Sequence, residues 1–216
     1  MKAICLVSGG VDSATSAAIA KSEGYELYCL SFNYGQLAQR ELESAKKIAK
    51  ALGAKEHHIV GITFLRDLYG KGVTSLMDKK IPMPGKFEPS VIVPFRNGIM
   101  LAIAAGYADS VKADAIFYGP QGDDAPFFPD CRKEFVSAMS KAIAIGTDSK
   151  LSVKNPLAKK SKADVIKLAV KLGVPVEQTW SCYLNGKVQC GRCESCNNRK
   201  NAFKAAGIKD STKYAG

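Results

Sequence analysis

The chain has 216 residues, 46% of them hydrophobic and 24% charged, and a formal net charge of +11. That length and composition fit one α/β domain with a small appendage and are ordinary for a globular protein. No apolar run near the roughly 20 residues of a membrane span is expected, nor a leader ahead of the first strand, so a cytoplasmic protein without a membrane partner is predicted. The positive charge suits a nucleic acid or polyanionic nucleotides and does not decide between them.

Ala3–Val7 is a short apolar run of the kind that forms a buried parallel strand. Ala14, Ala17, Ala18 and Ile19 then recur at helical spacing, so Ser8-Gly9-Gly10-Val11-Asp12-Ser13 sits where a strand turns into a helix. Two glycines allow the main chain to approach a ligand closely, and a helix start presents free N–H groups to an anion. Asp12 is placed to orient a magnesium ion or to cap the helix, and an ordinary Gly-containing turn is the plain alternative. Neither a Walker A loop nor a Gly-x-Gly-x-x-Gly dinucleotide loop matches.

Helix one is predicted to end near Gly24, a second strand to run from Tyr25 to Phe32, and a helical stripe of Leu42, Ala45, Ile48, Ala49 and Leu52 to stop at Gly53. Glu56–Val60 reads as a third strand, with His57 and His58 as strand-end residues rather than ligands. The order βαβαβ predicts a doubly wound parallel sheet with its ligand at the carboxyl ends of the strands. From Gly61 to Val93 the glycines and prolines predict a long loop or lid. A helix then carries Met100, Leu101, Ile103, Ala104 and Ala108; Ala115–Tyr118 reads as a further strand; and 119–132 is irregular. Helices follow around Phe135, Met139 and Ile143 and around Val165, Leu168, Ala169 and Leu172. An α/β domain is assigned to residues 1–175 and a C-terminal metal-binding segment to 176–216.

Four of the seven cysteines, Cys182, Cys190, Cys193 and Cys196, fall within fifteen residues. In a cytosolic chain such crowding reads as metal binding. Four thiolates make a closed shell that suits a structural zinc ion, although an iron–sulfur cluster also takes four cysteines. Zinc ligation can supply roughly 10–16 kcal/mol toward folding a segment with little core of its own. Cys5 and Cys29 lie in strand-like runs and read as inert core residues.

Three stretches near the expected mouth carry charge. Arg96, in Val93-Pro94-Phe95-Arg96-Asn97, is placed to fork a phosphate or carboxylate, and a solvated pre-helical arginine is the plain alternative. Pro129-Asp130-Cys131-Arg132 precedes a helix that Asp130 is expected to cap. Lys162 sits at a helix start, an unfavourable place for a cation that a phosphate ligand would explain, with a plain surface lysine as the commoner alternative.

Taken together, these motifs resemble the 7-cyano-7-deazaguanine synthase (QueC) family of PP-loop ATP pyrophosphatases. The resemblance rests on Ser8–Ser13, Ser31-Phe32-Asn33-Tyr34-Gly35-Gln36, Val93–Asn97, Pro129–Arg132, Ser161-Lys162-Ala163-Asp164, Thr179-Trp180-Ser181-Cys182-Tyr183 and Cys190–Cys196. It implies an adenine nucleotide alpha hydrolase-like fold and a small C-terminal zinc segment. It also implies conversion of 7-carboxy-7-deazaguanine and ammonia to a nitrile with cleavage of ATP between the α and β phosphates. On that resemblance Ser8, Gly9, Gly10, Val11, Asp12, Ser13 and Ala14 would bind ATP with Mg²⁺. Asp12, Ser13 and Lys162 would serve catalysis, while Arg96, Asp123, Asp130 and Arg132 would contact the base or its carboxylate. A homodimer is implied, and nucleic acid is not the expected partner. The chain departs from the family pattern at Asn33, Leu37, Ala38 and 120–128. Two rivals are a tRNA thiolase or lysidine-synthetase-like enzyme, which would draw on Cys131 or the basic surface, and a zinc-containing RNA-binding module using the basic tail from Arg192 to Lys213.

Overall fold

Five short strands, β1 (Lys2–Leu6), β2 (Glu26–Asn33), β3 (Glu56–Gly61), β4 (Ala115–Phe117) and β5 (Ser152–Lys154), form one parallel sheet in the order β3-β2-β1-β4-β5. The structure, a computed structural model, describes residues 1–215. β1 lies at the centre, with Cys5 opposite Cys29 of β2 on one side and Phe117 of β4 on the other. Strands flanked on both sides in this way are apolar throughout, and Ala3 to Leu6 are all buried. The chain order reverses between β1 and β4, which places the crevice for a ligand at the carboxyl ends of these two strands.

Helices α1 (Val11–Ser22), α2 (Arg40–Leu52), α4 (Arg96–Ser110), α5 (Lys133–Gly146) and α6 (Lys162–Lys171) cover the two faces, with a short α3 (Phe64–Tyr69) between them in sequence. One core joins Ile4, Leu30 and Ile116 to Leu101, Ala104 and Ala108 of α4. The other joins Ala3, Cys5 and Phe117 to Ala14 and Ala17 of α1, Ile48 of α2 and Ile166 of α6. Gly53 ends α2 at φ +75°, a conformation a side chain would strain.

Several expectations need correction. The stretch Pro89–Ser110 is 22 residues and, by length and composition, apolar enough to cross a membrane. Pro94 and the left-handed Phe95 (φ +49°) interrupt it, and α4 lays Leu101, Ala104 and Ala108 on the sheet. The predicted loop from Gly61 to Val93 contains α3, and β5 was not foreseen. The C-terminal segment holds a full helix, α7 (Glu194–Ala206), which packs on α6 and puts Ala202 and Phe203 into the second core. Its Arg199 is fully buried, stacked on Phe203, paired with Asp210 and donating to Thr179 Oγ1 (2.6 Å) and the Val176 carbonyl (3.0 Å). One buried cation thus ties α7 and the tail after it to the segment that leads into Trp180.

Candidate active site

β1 ends at Leu6, and the chain turns through Ser8, Gly9 and Gly10 into α1. Gly9 stands at φ +94°, and a Cβ there would lie 2.2 Å from the Glu41 carbonyl oxygen at the start of α2. Only glycine satisfies both the angle and the contact. The turn is held by its own hydroxyls. Ser13 Oγ accepts the Ser8 amide (3.1 Å), lies 3.1 Å from Ser8 Oγ, and is 3.1 Å from the Gly10 carbonyl, to which it can donate. Behind the turn, Gly119 at the end of β4 is so close to α1 that an added Cβ would meet Asp12 O and Ser13 Cα at 3.1 Å. The start of α1, with its free N–H groups, therefore opens into the crevice between β1 and β4, a fitting seat for pyrophosphate.

Across this crevice Lys162, the first residue of α6, reaches Asp12 and hydrogen-bonds its Oδ2. Ser161 caps α6 through Asp164, and Asp123 accepts the Lys162 amide (2.9 Å). Asp12 Oδ1 is buried and has no hydrogen-bond partner among the described residues. Asp124 stands nearby, its carboxyl pushed up to about 6 by burial and by the Asp12 charge. Two crowded carboxylates with an orphaned oxygen fit a hard divalent cation, which takes oxygen ligands. Asp12 and Asp124 would hold a magnesium ion carried in with ATP.

The crevice widens into a cavity of about 1270 Å³ that reaches from Ser8 to Trp180 and Tyr183. Rings of Phe32, Tyr34, Phe87, Phe128, Trp180 and Tyr183 border it, a lining suited to a planar base. Arg96 Nη1 donates to Tyr34 Oη (3.2 Å), and its guanidinium lies 5.5 Å from the centre of that ring. Burial weakens its charge less than Tyr34, Glu41 and Asp130 strengthen it, so Arg96 stays a cation facing the cavity.

The C-terminal segment closes onto this region. The Trp180 amide donates to the Gly9 carbonyl (2.9 Å), and Trp180 Nε1 to the Cys182 carbonyl (2.8 Å). Immediately beyond, the sulfurs of Cys182, Cys190, Cys193 and Cys196 all lie within 4.8 Å of one another. Cys190 and Cys196 Sγ are 3.9 Å apart. A tetrahedron with 2.3 Å zinc–sulfur bonds has edges of about 3.8 Å, so the four sulfurs fit such an ion. The Leu184 and Cys190 amides donate to Cys182 Sγ, and the Arg192 and Cys193 amides to Cys190 Sγ, at 3.3–3.5 Å. Main-chain N–H groups aimed at sulfur favour the thiolate that a metal requires. Hydrogen bonds from Cys182 and Cys196 hold the Cys193 thiol well below its usual range.

The family model for "Queuosine biosynthesis protein QueC" matches residues 2–207. The chain is 43% identical over 220 residues to a 7-cyano-7-deazaguanine synthase of Sulfurovum sp. (strain NBC37-1), covering 99% of this chain and 98% of the relative. It is 42% identical to the enzyme of that name from Methanospirillum hungatei JF-1, covering 99% of this chain and all of the relative. The chain belongs to the QueC family. Among solved structures, a 4-thiouridine synthetase–RNA complex with bound ATP superposes at TM-score 0.57 with 19% identity. That match covers 95% of this chain and half of the other. An NH3-dependent NAD synthetase from Campylobacter jejuni superposes at 0.53 with 17% identity, covering 81% of this chain and 65% of the other. These two likenesses speak for the PP-loop fold alone.

Set on this QueC chain, Ser8, Gly10, Val11, Asp12, Ser13 and Lys162 all border the cavity, whereas Gly9 and Ala14 lie behind it as backbone support. Arg96 and Asp123 border it too; Asp130 and Arg132 do not. The Asp130 carboxylate accepts the Asn97 amide (3.1 Å) and so steadies the start of α4, not that of α5 as expected from its place in the chain. Arg132 is exposed and donates to the Ala125 carbonyl (3.2 Å). Cys131 is buried and its thiol pushed up to about 12, chiefly by burial, which is the opposite of an activated thiolate. Arg199 of the basic tail is sealed inside the fold and offers nothing to RNA. Three carboxylates that the sequence does not single out, Glu41, Asp124 and Glu194, line the cavity. Asp124 sits in a capping box with Gln121 that marks it only locally. Glu41 lies one helical turn before Ala45, on the stripe that α2 buries, and that phase was the signal available for it.

Proposed function

We propose that this chain makes 7-cyano-7-deazaguanine from 7-carboxy-7-deazaguanine, ammonia and ATP. The observation that carries this reading is the near-complete match to enzymes named 7-cyano-7-deazaguanine synthase, at 41–44% identity to seven of them. A carboxylate resists a nucleophile because it is anionic and its leaving group would be oxide. Transfer of AMP to it, with loss of pyrophosphate, turns that oxygen into a good leaving group. Ammonia then displaces AMP and gives the amide, releasing a proton. In a second round the amide oxygen takes another AMP, and loss of that AMP and the remaining protons leaves the nitrile.

Each step puts charge on phosphate oxygens at Ser8–Ser13. The α1 N–H groups and the Ser8 and Ser13 hydroxyls bind the departing pyrophosphate, and Lys162 offsets its charge. Asp12 and Asp124 would hold the magnesium ion, which supplies electrostatic stabilisation of that leaving group. Arg96, beside Tyr34, is the cation that orients the substrate carboxylate toward the α-phosphate. Asp123 positions the Lys162 backbone, and we keep Asp130 and Arg132 as supports of the loop rather than substrate ligands. Residues 176–216 form the segment we assign to structural zinc, with Cys182, Cys190, Cys193 and Cys196 as ligands that leave no open position for chemistry. We further propose a homodimer in the cytoplasm, with free ammonia or a partner protein as the nitrogen source.

The test is direct. The protein is incubated with the carboxylate, ammonium, ATP and Mg²⁺, and the base and nucleotide products are followed by mass. Nitrile, AMP and pyrophosphate are expected, with two AMP per nitrile. ADP and phosphate in their place would overturn cleavage between the α and β phosphates, and an untouched base would overturn the substrate. Metal analysis is expected to give one zinc per chain, and light scattering the mass of two chains.

A further inference from the structure

Glu41 is a half-buried carboxylate on the cavity wall with one oxygen left without a hydrogen-bond partner among the described residues. Asp12 is paired with Lys162, Asp124 closes a box with Gln121, and Glu194 accepts from both Tyr183 (2.9 Å) and Asn198 (2.5 Å). Glu41 Oε1 accepts from Gln36 Nε2 (2.8 Å), while Oε2 has no hydrogen-bond partner among the described residues. Gln36 is itself fixed, since its Nε2 also donates to the Phe32 carbonyl (3.1 Å) and its Oε1 accepts the Tyr34 amide (2.9 Å). The carboxylate is therefore held in one orientation from below and has an acceptor to spare. The main chain of Glu41 is equally constrained, because its carbonyl packs on Gly9 of the pyrophosphate loop.

Tyr34 and Arg96 complete a row with it. Arg96 donates to Tyr34 Oη, which leaves the phenol O–H proton free to be donated onward. Arg96, Tyr34 and Glu41 thus present a cation, a donor and an acceptor along one wall of the cavity. A 7-carboxy-7-deazaguanine presents the matching sequence along one edge: the carboxylate, then the neighbouring ring carbonyl, then the ring N–H and the exocyclic amino group. A carboxylate is the side chain that accepts from two such adjacent donors.

We propose that Glu41 is the specificity-determining residue of this pocket, its carboxylate accepting from the ring N–H and the 2-amino group of the deazaguanine. This rests on the proposed function and names the part of the site that reads the base. Asp130 is less suited to that role because it does not border the cavity, and Asp123 because it is exposed and bound to the Lys162 amide at the phosphate end. Hypoxanthine-like bases, which lack the 2-amino group, leave one carboxylate oxygen buried and unpaired and are selected against.

The experiment compares kcat/KM for the carboxylated deazaguanine and for its analogue without the 2-amino group, in the native chain and in Glu41→Gln. Losing one charged hydrogen bond in a pocket changes such a ratio by on the order of tenfold to a hundredfold. The native chain is expected to prefer the guanine base by that factor, and Glu41→Gln to lose the preference, with KM for ATP unchanged. The ratio is taken within one protein sample, so a partly unfolded variant does not alter it. Conversion by the native chain with the same preference in Glu41→Gln would overturn the inference and leave the function standing. A rise in KM for ATP with an unchanged preference would also overturn it, placing Glu41 against the nucleotide. No conversion of either base by the native chain would overturn the function and the inference with it.

Discussion

Lys162 and Asp12, 150 positions apart in sequence, form an ion pair at the mouth of the sheet. The pair links the first residues of α6 and α1, the two helices whose starts face the crevice. It also answers the question of a lysine at a helix N-terminus: its own helix repels it, and the Asp12 carboxylate offsets that cost. Lys162→Ala is expected to lower kcat/KM for ATP by about a hundredfold, the loss of a charged transition-state contact of roughly 3 kcal/mol. Lys162→Arg is expected to recover only part of it. Because both side chains are partly exposed, the melting temperature should move little, and a large fall in Tm would show that the pair is structural instead.

Gly9→Ala tests the loop at its tightest point. The new methyl would sit 2.2 Å from the Glu41 carbonyl oxygen in a backbone conformation that disfavours any side chain. Either the loop or the start of α2 must move. ATP turnover is expected to drop below a hundredth of the native rate, while Gly24→Ala, at a similar φ but with nothing within 4 Å, leaves turnover unchanged. Equal effects from the two substitutions would mean that the backbone angle alone matters, not the contact with α2.

How far these sites could be read from sequence depends on how local their signals are. The strand–Gly-Gly–helix signature, the α2 stripe and the four cysteines are contiguous patterns, and the sheet order follows once the βαβ units are seen. β5 escaped because three residues at a sheet edge carry no period, and α3 because six residues make too short a run to show one. α7 was hidden by its own chemistry: its buried face is Cys196, Arg199, Ala202 and Phe203, a helical stripe in which a metal ligand and an arginine take the places of apolar residues. Glu41 sits in Arg40-Glu41-Leu42-Glu43, whose charges read as a solvated first turn even though its phase sets it on the stripe that α2 buries. Asp130 illustrates the converse. Its motif pointed to the helix that follows, whereas the fold delivers its carboxylate to α4, 33 residues earlier.

The cysteine cluster makes a prediction about stability as well as composition. Cys182 is two residues from Trp180, whose amide holds the Gly9 carbonyl, so metal loss reaches the ATP loop through a short covalent path. Cys193→Ser, or chelation of the native protein, is expected to lower Tm and to free the metal, with ATP turnover lost in parallel. Metal analysis and thermal unfolding on the same sample check this. Retention of one zinc per chain in Cys193→Ser would remove Cys193 from the ligand set, and iron with visible absorption would replace zinc by a cluster.

The free pocket should also respond to pH through Glu41. Burial raises its carboxyl from 4.5 to about 7, against the opposing pull of the Gln36 hydrogen bond and the Arg96 charge. Burial pushes the facing Tyr34 hydroxyl up to about 12, so it stays neutral, and Arg96 stays charged, which leaves Glu41 to titrate in this corner. The folded, ligand-free protein therefore holds a proton on Glu41 between pH 4.5 and about 7 that the unfolded chain has released. Its contribution to stability is largest at the acid end of that window and declines as pH rises through it. A base that donates to Glu41 needs the ionised form, so it must displace that proton below pH 7. KM for the deazaguanine is expected to rise by about tenfold for each pH unit below 7 and to stay level above it. The same profile in Glu41→Gln should be flat over this range, while Asp124, raised to about 6 beside Asp12, leaves its own inflection in KM for ATP in both proteins. An inflection near 7 that survives in Glu41→Gln would assign the titration to another group.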